Sequence, residues 1–164
     1  MLLPSREPYS RAMNELDNTA EPYLVSGGLA VDDRGQLSFY NDLILSDYKR
    51  QYFVQNHTSG FIRAWHGHRY ESKAVTVVTG AALVCAVRVS DWSRPDRGSP
   101  IHRHVLAATL PSALIIPAGY ANGFMTLQPN TVIQFLSSAT LEESAADDIR
   151  FDARLWDPWN VVER

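Results

Sequence analysis

An antiparallel all-β barrel or sandwich is the fold class that the sequence predicts, on three observations. From Tyr23 onward the chain is a series of short runs rich in Val, Ile, Leu, Phe and Thr. They recur about every 8–12 residues and are broken by turn residues, with no helical pattern between them. The 164 residues, 45% apolar and 20% charged, suit one globular domain that buries roughly 70% of its unfolded surface. A single cysteine, Cys85, excludes an internal disulfide framework, so a packed core must carry the fold.

Taken in order, the first element is a short polar helix over Tyr9–Asn18, before the loop that contains Pro22. Gly27-Gly28 marks a turn, and Asp33-Arg34-Gly35 reads as a hairpin between LAV and QLSFY. Strands are expected at Gln51–Gln55, Phe61–His68, Ala74–Val78, Ala82–Val89, His104–Leu110, Ala113–Ile116, Gly123–Leu127 and Thr131–Ser137, with a tight hairpin at Thr79-Gly80. Asp91–Pro100, rich in Pro, Ser and charge, is a loop. After Thr140 the acidic run LEESAADD suits one helical turn. Trp156 and Trp159 in the tail are expected to plug one end of the barrel or to form a dimer contact. The whole of 1–164 reads as one domain, with residues 1–22 as an arm and 141–164 as a tail packing on the barrel.

The charge balance bears on partners. Fifteen basic and 18 acidic residues are interspersed and give a net charge of −3, without the basic stripe of a nucleic-acid binder. The start, MLLPSREPYS, lacks the apolar stretch of a secretory signal. The longest apolar-rich run, Ala74–Val87, is about 14 residues, too short to span a bilayer. The expectation is a cytoplasmic protein without membrane or nucleic-acid partners.

Chemistry concentrates at two of the five histidines. In the strand FIRAWHGH, side chains alternate between faces, so Ile62, Ala64, His66 and His68 point one way and Arg63, Trp65 and Gly67 the other. His57, His102 and His104 lie in or near turns and are expected to be solvated or surface-paired. Cys85 in LVCAV reads as a small buried hydrophobe, with no neighbour in sequence to activate it.

The spacing Gly60-x5-His66-x-His68-x4-Lys73-x6-Gly80, with Pro117-Ala118-Gly119-Tyr120-Ala121-Asn122 downstream, resembles the two motifs of the cupin barrels. That resemblance implies a double-stranded β-helix (jelly-roll) barrel with short N-terminal and C-terminal helical segments. In those motifs two histidines, a glutamate and a further histidine bind a metal. Here Lys73 stands at the glutamate position and Asn122 at the last histidine. An ammonium has no lone pair and repels a cation, and an amide is a weak ligand for imidazole-preferring metals, so no metal site is expected. Glu71 substitutes poorly, lying an odd number of residues from His68.

A lysine beside a histidine in an apolar cavity suits proton transfer at carbon: the imidazole takes the proton and the ammonium holds the enolate oxygen. The run Ile62-Arg63-Ala64-Trp65-His66, then Lys73, then Ile116–Phe124 (IPAGYANGF), resembles the dTDP-4-dehydrorhamnose 3,5-epimerase family of nucleotide-sugar epimerases. Phe53-Val54-Gln55-Asn56 adds to it, and the resemblance covers roughly Phe39–Asp152. It implies a homodimer without cofactor, acting on a nucleoside-diphosphate 4-keto sugar in surface-polysaccharide synthesis. By the same resemblance His66 is the base, Lys73 the enolate partner, Asp152 the carboxylate that orients the base and Arg63 the phosphate ligand, which strict alternation would put on the other face, so a bulge or a subunit boundary must intervene for Arg63 and His66 to touch one ligand. Gln55, His68, Asn122, Ser137 and Tyr120 line the substrate.

The sequence departs from the family pattern at its acid. The tyrosine expected in the last strand is replaced in Phe135-Leu136-Ser137-Ser138. Tyr70, Tyr120 and His68 stand as substitutes. The paired histidines also resemble those of the nucleotide-sugar 3,4-ketoisomerases, which implies a proton shuttle between neighbouring carbons as the alternative. A third reading is a cupin-type protein that binds a sugar nucleotide without turning it over.

Overall fold

The structure, a computed structural model, describes residues 20–162. The helix expected over Tyr9–Asn18 lies outside the described residues. Twelve strands follow in order: β1 (Tyr23–Ser26), β2 (Gly28–Asp32), β3 (Gly35–Phe39), β4 (Arg50–Gln55), β5 (Ile62–His68), β6 (Lys73–Thr79), β7 (Ala81–Arg88), β8 (Ile101–Ala107), β9 (Ser112–Ile116), β10 (Tyr120–Thr126), β11 (Val132–Ser137) and β12 (Ile149–Arg150). A single helical turn and a half, α1 (Leu141–Ala146), begins at Thr140, whose hydroxyl accepts from Glu143 N while the Glu143 carboxylate accepts from Thr140 N.

The strands form two five-stranded antiparallel sheets, ordered β1-β9-β6-β11-β4 and β12-β5-β10-β7-β8, with the β2–β3 hairpin apart. Period-two alternation explains the layering. Val75 and Val77 from β6, Leu114 and Ile116 from β9, and Ile133 and Phe135 from β11 meet Ala82, Val84 and Ala86 from β7, Leu106 from β8, and Tyr120 and Phe124 from β10. That cluster is the inside of a cupin-type barrel, the fold the sequence predicts.

Three expectations change, and a fourth point, the face on which Arg63 lies, is decided by the bulge that its role requires. Thr79-Gly80 is not a hairpin, because β6 and β7 belong to different sheets; Gly80, with φ +78°, turns the chain from one sheet to the other. Trp156 and Trp159 neither plug an end nor sit on a free surface. They pack with Trp65, Leu83, Cys85, Val87 and Ala121 on the outer face of the second sheet, as a second core. His102 and His104 pair with Ala86 and Val84, two inward-facing residues, and are half-buried, so they face the barrel interior; His102 lies edge-on to Tyr120 at 5.8 Å.

The fourth point matters most for the site. Along β5 and β10 the pairing runs His68↔Tyr120, His66↔Asn122, and then Arg63↔Phe124, so three steps on β5 match two on β10. This β-bulge restores Arg63 to the face of His66, contrary to strict alternation, because cross-strand partners share a face. Gly123 sits opposite the bulge, where a Cβ would collide with the Ala64 side chain and lie 3.1 Å from Arg63 O. Gly67 serves the outer face in the same way: a Cβ there would lie 2.6 Å from the Trp92 ring.

Candidate active site

Inward faces of both sheets converge near the C-terminal end of β5. From the second sheet come His66, His68 and Asn122. From the first come Lys73, which pairs with Ser137 and Ile116, and Arg50, which also pairs with Ser137. The loop 69–72 between β5 and β6 is fixed by Asp147, whose carboxylate accepts from Arg69 N at 3.0 Å, Tyr70 N at 2.8 Å and Glu71 N at 3.3 Å. That clamp turns the Glu71 side chain into the barrel, where it is buried.

The result is a buried polar cluster in which Arg50 Nε, His68 Nδ1 and Glu71 Oε2 lack a hydrogen-bond partner. Lys73 Nζ donates to His68 Nε2 at 3.0 Å, and His68 Nδ1 lies 3.0 Å from Glu71 Oε2. Ser137 Oγ donates to Glu71 Oε1 at 2.7 Å, and Lys73 Nζ and an Arg50 guanidinium nitrogen each lie 3.6 Å from the same oxygen. With its Nε2 lone pair occupied by the ammonium, His68 is neutral and carries its proton on Nδ1, which lies close to Glu71 Oε2 without hydrogen-bond geometry, so both of these buried atoms are left without a hydrogen-bond partner. Burial, then Lys73, pushes the His68 imidazole down, more than Glu71 raises it. Burial works to raise the Glu71 carboxyl, but Lys73 and hydrogen bonds from Ser144 and Ser137 outweigh it and leave it below the ordinary range. Burial lowers Lys73 despite Glu71. A cation at the His68 lone pair is unfit company for a metal, which would have to displace the ammonium.

His66 is differently placed. Its backbone carbonyl accepts from Asn122 Nδ2 at 3.1 Å, and its Nε2 lies 3.4 Å from an Arg150 guanidinium nitrogen. Arg150 is its partner across β12, and is held in turn by Asp148 at 2.8 Å. Burial first, then Arg150 and Lys73, depresses the His66 imidazole to about 4. At neutral pH His66 is an unprotonated imidazole whose Nε2 accepts only the long 3.4 Å contact from the exposed Arg150.

The expected site residues separate accordingly. His66, His68, Lys73, Asn122 and Ser137 are brought together, with Arg63 on the same face. Asp152 is not among them: it is exposed and accepts from Arg154 N at 2.7 Å in a turn. The run Ile149-Arg150-Phe151-Asp152 carries Arg150 rather than Asp152 to His66, since Arg150 is the residue in register. Gln55 is exposed on the outward face of β4, where burial alternates from Arg50 onward. Tyr120 is buried, and its hydroxyl donates to Ala20 O at 3.3 Å. Tyr70 is exposed in the loop. Sequence reasoning passed over Arg50, Arg150 and Asp148, weighed Glu71 only as a metal ligand, and missed Tyr52. Tyr52 faces inward from β4, stacked on Phe135 at 5.1 Å with the Arg50 guanidinium over its ring at 4.9 Å. Cys85 is buried, and burial pushes its thiol up to about 12, which leaves it inert. Among the described residues no helix is long and apolar enough to cross a membrane.

Buried Lys73 and half-buried Arg50, with exposed Arg63 and Arg150 beside them, outnumber Glu71 and Asp148, so this face favours an anionic ligand. Known structures share this architecture. A dTDP-4-dehydrorhamnose 3,5-epimerase from Bacillus anthracis with TDP and pyrophosphate bound superposes with a TM-score of 0.71 at 25% identity, covering 91% of this chain and 90% of its own. The rmlC epimerase of Mycobacterium tuberculosis gives 0.61 at 22% identity over 77% of this chain, which spans 66% of that one. A 3,4-ketoisomerase from Thermoanaerobacterium thermosaccharolyticum in complex with TDP gives 0.60 at 17% identity, over 84% and 92%. No curated protein sequence matches the chain. The family model of dTDP-4-dehydrorhamnose 3,5-epimerase matches residues 20–162, which takes in the barrel and both motifs around His66 and Gly119. By that match the chain belongs to the dTDP-4-dehydrorhamnose 3,5-epimerase family.

Proposed function

We propose that the protein is a nucleotide-sugar epimerase that inverts C3, C5 or both in a nucleoside-diphosphate 4-keto sugar. The observation that carries this reading is an unprotonated imidazole, His66, on the inward face of one sheet, with the ammonium of Lys73 on the inward face of the other and bonded to the neighbouring His68. His66 takes the proton alpha to the ketone, the C–H electron pair moves into the ring bond to C4, and the carbonyl pair moves to oxygen. Lys73 donates to that oxygen as charge develops on it. Arg63 and Arg150 hold the diphosphate, and Asn122 holds the His66 backbone. Glu71 takes the place proposed for Asp152 as the carboxylate of the site, acting on His68 and Lys73 rather than on His66. Proton transfer of this kind balances without a cofactor.

The bound TDP of two of the similar structures favours a thymidine nucleotide, and the reaction is proposed to belong to deoxy-sugar synthesis, in the cytoplasm and feeding surface polysaccharide. The second reading, 3,4-ketoisomerisation, is favoured by one observation: His66 and His68 share a face one strand repeat apart. Against it, the His68 lone pair is held by Lys73. Incubation with TDP-4-keto-6-deoxyglucose in D2O separates the readings by NMR. Deuterium at C3 or C5 with a new 4-keto epimer supports epimerisation, and a 3-keto product supports the isomerase. TDP binding without exchange supports a binding protein.

A further inference from the structure

Inversion needs a proton donor on the sugar face opposite His66, and Ser137 cannot be that donor, because its hydroxyl is spent on Glu71 at 2.7 Å. We infer that Tyr52 is the proton donor of this site, acting from β4 on the face of the sugar opposite His66; the inference rests on the epimerase reading. Register supplies the first argument. Tyr52 pairs with Phe135, and Ser137 is two residues along β11 on the same inward face, so Tyr52 is the diagonal neighbour of Ser137. Diagonal cross-strand positions are about 7–8 Å apart, within the span of an aromatic side chain, so a phenol at 52 reaches the space that one at 137 would serve.

Layering supplies the second argument. Tyr52 belongs to the first sheet and His66 to the second, so the two side chains approach the cavity from opposite walls. Arg150 and Asp148, which flank His66, also act electrostatically on the Tyr52 phenol, so both groups lie within reach of the same pair of charges. Clamping supplies the third. The ring is held flat against Phe135, 6° from parallel, with the Arg50 guanidinium over it, an arrangement that orients a phenol and steadies a phenolate. Burial and the nearby Glu71 push the phenol up to about 12, and no hydrogen bond is among the influences on it. It therefore stays protonated at neutral pH.

In the second half of the reaction, the enolate carbon takes the proton from Tyr52 Oη. The electron pair of the C=C bond forms the new C–H bond, the oxygen pair restores the ketone, and the O–H pair stays on the phenolate. Water returns a proton to Tyr52 and accepts one from the His66 imidazolium. Tyr70, exposed, and Tyr120, whose hydroxyl faces Ala20, do not compete for this position.

The test is Tyr52→Phe, which keeps the stack on Phe135, with TDP-4-keto-6-deoxyglucose in D2O. Epimer formation is expected to fall at least about 100-fold, the usual worth of a general acid. Deuterium wash-in with retained configuration should continue through His66, and TDP affinity should stay within about threefold. Epimer at the wild-type rate would overturn the inference. So would loss of both exchange and epimer with TDP affinity intact, which would make Tyr52 a positioning residue. A wild-type protein that makes no epimer overturns the epimerase reading itself, whatever the variant does. As a second measurement, 2,3,5-trifluorotyrosine at position 52 lowers the phenol pKa at nearly constant shape. The alkaline limb of kcat should move to lower pH, and an unmoved limb would contradict a donor role.

Discussion

At the scale of single residues, the site works by dividing two histidines between two tasks. His68 is tied through Nε2 to Lys73 and serves to fix it, whereas His66 meets only a long 3.4 Å contact from the exposed Arg150, which leaves it the more accessible base. The depressed His66 imidazole gives a pH prediction. The base acts only when unprotonated, so kcat/KM of the free enzyme should hold across neutral pH and fall on the acid side near 4. Arg150→Ala should move that limb upward, and an unmoved limb in the variant would contradict the assigned neighbour. The same group sets a stability slope. Its folded pKa lies below the usual 6.5, so between about 6.5 and 4 the unfolded chain binds the extra proton, and stability declines as pH falls through that window. Glu71 shows why part of the site was not legible. Its odd spacing from His68 argued against it, but parity applies only along a strand, and Glu71 sits beyond the end of β5 in a loop that Asp147 turns inward. Asp152 misled for a related reason: the register that brings Arg150 to His66 depends on a pairing partner 84 residues away in the chain and not on the local run around Asp152.

At the scale of elements, the strands were legible because half-buried β structure writes its period into the chain. The eight strands expected from Gln51 to Ser137 all appear, with shifted ends. Where the period breaks, the sequence is silent. The bulge between Ala64 and Trp65 adds a residue without any composition cue, yet it alone puts Arg63 and His66 on one face. Thr79-Gly80 carries the residues of a hairpin turn, but whether the chain reverses within a sheet or crosses to the other is decided by the partner strands β11 and β10. The bulge gives a prediction for Gly123. Gly123→Ala must push against Ala64, so a loss of about 1–3 kcal/mol in stability is expected by denaturant titration, with a rise in KM as Arg63 shifts. Unchanged stability and KM would show that the bulge does not position Arg63.

At the scale of the whole molecule, the β2–β3 hairpin stands outside both sheets, and its strands are exposed along nearly their whole length, including Leu29, Val31 and Leu37. A two-stranded ribbon is marginal alone, so it calls for cover by another surface. Together with exposed Phe53 on the outward face of β4, it supports the proposal of a homodimer. The expected mass in solution is about twice 18.4 kDa by sedimentation equilibrium, and Val31→Lys with Leu37→Lys should give monomers. A monomeric wild type would contradict the proposed assembly. The central claim, that His66 removes a proton alpha to the ketone of a nucleotide sugar, is tested most directly by deuterium wash-in. Wild type and His66→Ala are incubated with TDP-4-keto-6-deoxyglucose in D2O and followed by NMR. Label at C3 or C5 in the wild type, slowed at least about 100-fold in the variant, is the predicted result. Equal label in both proteins, or none in either, would contradict it.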